Sequence, residues 1–154
     1  MSFTAKDVQA LRQATGAGMM DAKRALEESG GDFDAAAKAL REKGLAKSAD
    51  RADRDNSQGA IAVGRGDGVA AVVQLKCETD FVAKSEQFLA VLDDLLQAVL
   101  AGQGAEAVAD KVDDLKVVLK ENIEVGTIAT VPVAEGQGVD TYLHKQEGRG
   151  VNGV

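Results

Sequence analysis

Two carboxylates and an aromatic ring lie between residues 78 and 81, at Glu78, Asp80 and Phe81. A pair of carboxylates can act as general acid and general base, as in glycosidases. An enzyme of that kind also needs a cleft and further positioned groups, and neither a nucleophile nor a histidine accompanies this pair. A hydrolase that uses Glu78 and Asp80 is therefore the weakest of the alternatives.

The remaining residues that commonly do chemistry are a single cysteine, Cys77, and a single histidine, His144. One of each does not make a transition-metal site, and one cysteine cannot form an internal disulfide. The sequence also lacks a GxxxxGK[ST] loop for phosphates. We therefore expect no catalytic residues, no bound metal and no cofactor, and predict that the chain is not an enzyme.

The turn around Asp80 has two interpretations. Thr79 or Asp80 can simply cap the following helix through Ser85, with Phe81 packed on Phe88 as a hydrophobic staple. Alternatively, a rigid turn between a strand and a helix presents the acid and the aromatic ring together at its tip. An exposed phenylalanine is a good anchor for a pocket on a partner, so this second interpretation makes the turn a wedge.

Met19 and Met20 form a second candidate surface. Neighbouring residues on a helix point about 100° apart, so both cannot face one small core. At least one of them is expected to be exposed. The pair marks either the edge of a loosely packed core or a docking surface, for which the flexible methionine side chain is well suited.

Composition excludes several classes of function. Eighteen basic and 25 acidic residues give a net charge of -7, and aromatic residues make up 3% of the chain. Such a chain repels phosphate backbones and has few rings on which to stack bases, so we expect no direct nucleic-acid partner. No apolar run approaches the roughly 20 residues of a membrane span, and the amino-terminal residues lack a signal core. We expect a cytoplasmic protein without a membrane partner.

Residues 4–44 predict three short helices separated by glycines. The first begins with a capping box at Thr4 and ends at Gly16, whereas the third begins at Asp32 and ends at Gly44. Because helices of this length are unstable alone in water, they must pack together. This predicts a small helical domain over residues 1–50.

The sequence then loses its large apolar residues, which predicts a linker over residues 51–58. Residues 59–154 form an α+β domain in which residues 60–77 predict a β-hairpin, followed by helices over 85–102 and 109–123. Strand-like residues return at 125–133 and 139–145. The predicted fold class is therefore α+β, with a three-helix domain followed by a core with a small antiparallel sheet.

The last residues repeat an earlier pattern. Residues 142–154, YLHKQEGRGVNGV, resemble the strand, glycine-rich turn and valine-rich strand of residues 61–72. The chain stops at Val154, where we expect the second strand to begin. A strand without a partner is a poor end for a sheet, so either the chain is truncated or a neighbouring molecule covers the edge, and we expect a truncated chain.

Two strings carry a family resemblance: LRQATGAGMMDAKRAL at residues 11–26 and CETDFVAKSEQF at residues 77–88. In this order and at this spacing they resemble bacterial elongation factor Ts, the nucleotide exchange factor of elongation factor Tu. Residues 30–44 resemble the third helix of that family, and YLHK at residues 142–145 resembles a strand of its core. The resemblance covers nearly the whole chain.

The resemblance implies a ubiquitin-associated-like helical domain joined by a linker to an α+β core. It implies a surface that docks on the nucleotide-binding domain of elongation factor Tu, formed by the residues that match the amino-terminal motif: Leu11, Arg12, Met19, Met20 and Lys23. It also implies an intruding segment that disturbs the magnesium site of the partner and promotes GDP release, formed by Thr79, Asp80, Phe81 and Val82.

The expected partner is elongation factor Tu in its GDP-bound and nucleotide-free forms, and short members of the family also act as homodimers. The sequence follows the family only loosely over residues 116–126. The resemblance does not extend to the second half of the family's core, and we expect full exchange activity to depend on that half. The rival hypothesis is an adaptor whose helical domain binds ubiquitin-like or helical partners, while the α+β domain is merely structural.

Overall fold

The computed structural model describes residues 2–154 as two compact units. We call the residues up to Asp53 together with Lys116–Glu121 the helical unit, and Arg54–Leu115 together with Asn122–Val154 the sheet unit. The elements in chain order are α1 (Ala5–Thr15), α2 (Met19–Glu28), α3 (Phe33–Ala49), β1 (Gln58–Gly66), β2 (Val69–Cys77), α4 (Asp80–Ala83), α5 (Glu86–Leu100), a 3-10 turn (Ala105–Val108), α6 (Ala109–Leu119), β3 (Glu124–Pro132), β4 (Leu143–Gln146) and β5 (Arg149–Gly153). The predicted α+β class is confirmed.

The first three helices of the helical unit bury one apolar cluster. Leu11 of α1 and Leu26 of α2 are fully buried in it, and Leu40 of α3 is 8% exposed. Val8 and three alanines fill the rest of the cluster, and the small alanine side chains allow the helices to approach closely. This arrangement fits the predicted three-helix, ubiquitin-associated-like domain.

The helix ends follow the sequence signals. Thr4 and Asp7 form the predicted capping box at the start of α1, and the Thr4 N–H donates to Asp7 Oδ2 at 2.7 Å. Gly16 ends α1 in the left-handed conformation, and Asp32 caps α3 by accepting from the Ala35 N–H at 3.0 Å. These contacts satisfy backbone groups that a helix terminus otherwise leaves free.

The prediction that α3 ends at Gly44 is wrong, because the helix continues to Ala49. A Cβ atom at position 44 would lie 2.6 Å from Val117 Cγ1, so this glycine makes room for a packed side chain. Arg51 Nη2 donates to the Lys116 carbonyl at 2.9 Å in the same region of the helical unit. Gly44 therefore serves close packing inside a helix, and the short segment Lys116–Glu121 belongs with residues far from it in sequence.

The sheet unit is built on a three-stranded antiparallel sheet in the order β1-β2-β3. The predicted hairpin is present, with Gln58 paired to Cys77 at its open end and Gly66 paired to Val69 beside its turn. Helix α5 packs on β1 and β2, and the side chains of its inner face are buried: Phe88, Val91, Leu92, Leu95, Leu96 and Val99. The central strand β2 thus has a neighbour on each edge, and one end of it leads into α4.

The last strand prediction needs correction. The second strand of the terminal hairpin is present as β5, which pairs with β4 around a turn at Glu147 and Gly148. Arg149 Nη1 donates to the Gly59 carbonyl at 2.7 Å, which ties this hairpin to β1. The helix predicted to reach Ile123 ends at Leu119, followed by Lys120 with φ at 58°.

Among residues 2–154, each helix is too short or too polar to span a lipid bilayer.

Leu95 provides a test of this packing. It is fully buried on α5, so Leu95→Ala removes packed methyl groups and leaves a cavity. We expect the free energy of unfolding of the sheet unit to fall by about 2–5 kcal/mol. Urea unfolding followed by circular dichroism measures this change. Gln97→Ala on the exposed side of the same helix is the control, and an equal loss in both variants would contradict the assignment of the buried face.

Candidate functional site

The segment between β2 and α5 is a short helical turn held by two caps. Thr79 Oγ1 accepts a hydrogen bond from the Val82 N–H at 3.3 Å and caps α4. Ser85 Oγ accepts from the Phe88 N–H at 3.4 Å and caps α5. Capping side chains satisfy the free N–H groups of each first turn, so both caps stabilise the turn at the end of β2.

Within this turn, Phe81 points into solvent. Its side chain is 81% exposed, whereas Ala83 and Phe88 on the same stretch of chain are fully buried. The staple that would pack Phe81 on Phe88 is therefore wrong. Thr79 is a helix cap as predicted, but it caps the separate short helix α4, and Ser85 caps α5. Burial of Ala83 holds the turn on the core while the aromatic ring is presented outward.

Asp80 lies beside this ring and keeps its negative charge. Lys84 Nζ donates to Asp80 Oδ2 at 3.2 Å, and this hydrogen bond lowers the pKa of the Asp80 carboxyl below its ordinary value. Lys84 is also ion-paired with Glu147, and its hydrogen bonds to Glu147 and then Asp80 raise the pKa of its ammonium group. The exposed tip thus combines a carboxylate with an aromatic ring.

Glu78 faces a different set of partners. Its Oε1 accepts from the Asn122 N–H at 2.7 Å and lies 3.7 Å from Arg54 Nη1. Asn122 Nδ2 in turn donates to the Arg54 carbonyl at 2.8 Å, so Glu78 helps to join three chain segments. A general acid needs a raised pKa, and that of Asp80 is lowered. The arrangement does not favour acid and base catalysis by Glu78 and Asp80.

The second candidate surface lies on the helical unit. Met19 and Met20 are 46% and 68% exposed, so both methionines face solvent. Together with Phe3, Val8 and Lys23 they contribute to a mainly apolar groove of about 450 Å³. An exposed apolar groove with flexible methionine walls is a suitable docking surface for another protein.

The other two predicted docking residues differ in exposure. Arg12 is exposed on α1, whereas Leu11 is fully buried in the helical core. Leu11 therefore contributes to the packing of α1 and α2 and not to an exposed surface. Lys23 forms an ion pair with Glu27 at 3.7 Å one helical turn away.

No metal centre is found among residues 2–154, where no group of three histidine, cysteine, aspartate or glutamate side chains is placed to hold an ion. Cys77 is buried, and its thiol donates to the Thr79 carbonyl at 3.1 Å. His144 is exposed, with its Nδ1 3.4 Å from Tyr142 Oη. These two residues serve local structure at separate places.

Sequence reasoning missed Lys84 and Glu147. The spacing of Asp80 and Lys84, four residues apart on a helical turn, is a readable signal for an ion pair. Glu147 is distant in sequence, and nothing in its local pattern indicates that it reaches Lys84. It comes into the site through the terminal hairpin.

A protein-family model and several curated proteins match the sequence of this chain. Residues 78–152 match the sequence model of the family described as elongation factor TS. Three similar curated proteins carry the name elongation factor Ts. The one from Leifsonia xyli subsp. xyli is 41% identical over 90% of this chain and 54% of its own length. The one from Kineococcus radiotolerans is 42% identical over 94% of this chain and 56% of its own length. The one from Flavobacterium johnsoniae is 40% identical over 93% of this chain and 48% of its own length.

These matches confirm the resemblance drawn from the two motifs. The three relatives each cover at least 90% of this chain, and the turn at residues 79–82 lies inside the family-model match. The chain spans about half the length of the curated relatives that it matches.

The charge of Asp80 can be tested directly. Because Lys84 lowers the folded-state pKa of this carboxyl, the Asp80–Lys84 pair stabilises the fold above the ordinary aspartate pKa. That stabilisation is lost as pH falls through the lowered value. An NMR titration of the side-chain carboxyl carbon should give a midpoint below 3.8. Lys84→Ala should move it upward, whereas Lys111→Ala, which removes the partner of Asp94, should leave it unchanged. A Lys84→Ala midpoint equal to that of the wild type would contradict the assigned cause.

Proposed function

Because this chain is a relative of the elongation factor Ts proteins over nine-tenths of its length, we propose that it acts in translation elongation. Its partner is elongation factor Tu, which it binds in the GDP-bound and nucleotide-free forms. Its action is to promote GDP release through non-covalent contacts, so it is not an enzyme in the catalytic sense. The observation that carries the proposal is the outward presentation of Phe81 and Asp80 on a doubly capped turn within the family match.

The aromatic ring has the properties of an anchor. Phe81 exposes four-fifths of its side chain, which is unfavourable in water and is relieved when a partner buries the ring. The turn beneath it is held by Thr79, Ser85 and the buried Ala83. Entry of the ring into a pocket therefore requires little ordering of this chain, which lowers the cost of binding.

The carboxylate gives the wedge an electrostatic effect. Asp80 is ionised at neutral pH because Lys84 lowers its pKa. A negative charge and a bulky ring inserted near a bound magnesium ion disturb the ion and its water shell. The ion is the largest local charge that holds a nucleoside diphosphate in its site. We propose that this disturbance weakens the hold on GDP.

Thermodynamic linkage sets the size of the effect. A protein that binds the nucleotide-free partner more tightly than the GDP-bound partner must weaken GDP binding by the same factor. The groove that contains Met19, Met20 and Lys23 provides docking affinity in this scheme, and Arg12 is a second exposed cation on the helical unit. Docking and wedging are thus assigned to separate units of the chain.

The wedge predicts a strong effect of Phe81→Ala. This change removes the exposed ring and leaves the core untouched, so stability should stay close to that of the wild type. Loss of an anchor residue should lower the maximal rate of GDP release about tenfold or more. The measurement is stopped-flow release of a fluorescent GDP from elongation factor Tu at fixed magnesium concentration, with the chain at saturating levels.

Phe33→Ala is the matched control, because Phe33 is also exposed but lies outside both candidate surfaces. Its release rate should equal that of the wild type. A maximal rate of GDP release with Phe81→Ala equal to that of the wild type would contradict the wedge hypothesis. Binding without any acceleration, even by the wild type, would favour the adaptor hypothesis for this chain.

The groove predicts a different signature for Met20→Gln. Glutamine has a similar helix propensity and length but lacks the apolar thioether, so it should weaken docking without unfolding α2. We expect the concentration of chain that gives half-maximal release to rise about fivefold or more, while the maximal rate stays near that of the wild type. Glu28→Gln on the same helix is the control. A lower maximal rate with unchanged half-maximal concentration would contradict a docking role.

A further inference from the structure

Lys84 lies between two carboxylates that come from different parts of the sheet unit. Its Nζ donates to Asp80 Oδ2 at 3.2 Å and is ion-paired with Glu147. The lysine side chain is 28% exposed, compared with 46% for Asp80 and 64% for Glu147. One partly buried cation therefore links the exposed turn α4 to the tip of the terminal hairpin.

Glu147 occupies an unusual backbone position for its residue type. Its φ is 51°, and Gly148 follows with φ at 83°, so both central residues of the hairpin turn are left-handed. Turns of this kind favour glycine or asparagine, because a side chain with a Cβ atom is strained there. The position nevertheless carries a long acidic side chain, and that side chain reaches Lys84.

The hairpin that carries Glu147 is itself anchored. Arg149 Nη1 donates to the Gly59 carbonyl of β1 at 2.7 Å, and Tyr142 and Val154 exchange backbone hydrogen bonds of 2.8 and 3.0 Å at the far end. Strand β1 pairs along its whole length with β2, and α4 follows β2 after two residues. Glu147 is thus held on an element that is fixed to the same sheet as the turn it contacts.

We propose that Glu147 is a positioning residue for the exposed turn: through Lys84 it holds Asp80, and with it the orientation of α4 and Phe81. Without this link, α4 is a single helical turn held by its two caps and by the buried Ala83. Ion pairs at the surface contribute little to overall stability. Loss of this link should therefore change the local order of the turn more than the free energy of unfolding. The effect on exchange rests on the proposed function, whereas the effect on motion does not.

The decisive variant is Glu147→Gly. Glycine adopts a φ of 51° without strain, so the hairpin should keep its fold while the link to Lys84 is lost. Backbone NMR order parameters of residues 80–82 should fall from about 0.85 to below about 0.7. Stopped-flow GDP release at saturating chain should become about fivefold slower, since the wedge must be ordered during binding.

Glu135→Gly is the matched control. Glu135 is also an exposed glutamate followed by a left-handed glycine. Like Glu147→Gly, this variant replaces an exposed glutamate by glycine and removes one negative charge. It should leave the order parameters and the release rate as in the wild type. Glu147→Gln, which keeps the length of the side chain and removes its charge, tests the link without any change in turn preference and should shift both readouts in the same direction as Glu147→Gly.

A charge exchange distinguishes a three-residue link from a simple pair. Lys84→Glu combined with Glu147→Lys restores opposite charges at these two positions but places the new acid next to Asp80. We expect no recovery of order or release, whereas Lys84→Arg should retain both. Full recovery in the exchanged variant would overturn the role of Asp80 in the link.

The two readouts separate the failure of this proposal from the failure of the proposed function. Order parameters of residues 80–82 that are unchanged in Glu147→Gly and Glu147→Gln would overturn the positioning role, whatever the release rates are. Lower order parameters with a wild-type chain that does not accelerate GDP release would support the link and contradict the exchange function.

Discussion

Between the end of β2 at Cys77 and the start of α5 at Glu86, the chain must begin two helices within nine residues while staying attached to a sheet. Each helix start leaves backbone N–H groups without intrahelical partners. Thr79 and Ser85 provide the side-chain oxygens that accept from these groups, and Ala83 is buried between them. With both ends capped and one side on the core, Phe81 is directed outward. The proposed wedge depends on this constraint.

The electrostatics of the turn act in the same direction. An exposed aspartate at the first turn of a helix is already favoured by the helix dipole, and Lys84 one turn later adds an ion pair. The carboxylate is therefore charged well below neutral pH. Glu78, only two residues earlier, instead accepts from a backbone N–H at Asn122 and helps to hold the sheet unit together. Two acids that look paired in sequence thus have separate tasks.

The helical unit divides a small number of apolar side chains between its core and its surface. Its core is made of three alanines, three leucines and Val8, so little apolar surface is available for both folding and binding. Leu11 and Leu26 are used for the core, whereas Met19 and Met20 stay exposed along a groove. This division lets a small domain remain folded and still offer an apolar surface to a partner. The sheet unit presents its charge and ring on a rigid turn, which suits insertion.

Features set by neighbouring residues were readable from the sequence alone. The capping box at Thr4, the caps at Asp32 and Thr79, and the hairpin before Cys77 all depend on groups a few residues apart, and the structure contains each of them. Two motifs likewise indicated the resemblance to elongation factor Ts that the comparisons confirm. Only the tertiary structure decided what depends on residues distant in sequence. It showed that Gly44 makes room for Val117 within a continuous helix, that Glu78 serves Asn122, and that Lys84 meets Glu147. The physical reason is that local hydrogen bonds and hydrophobic periodicity depend only on residues that are close together in sequence. Close packing and ion pairs between distant segments arise only once the chain has folded.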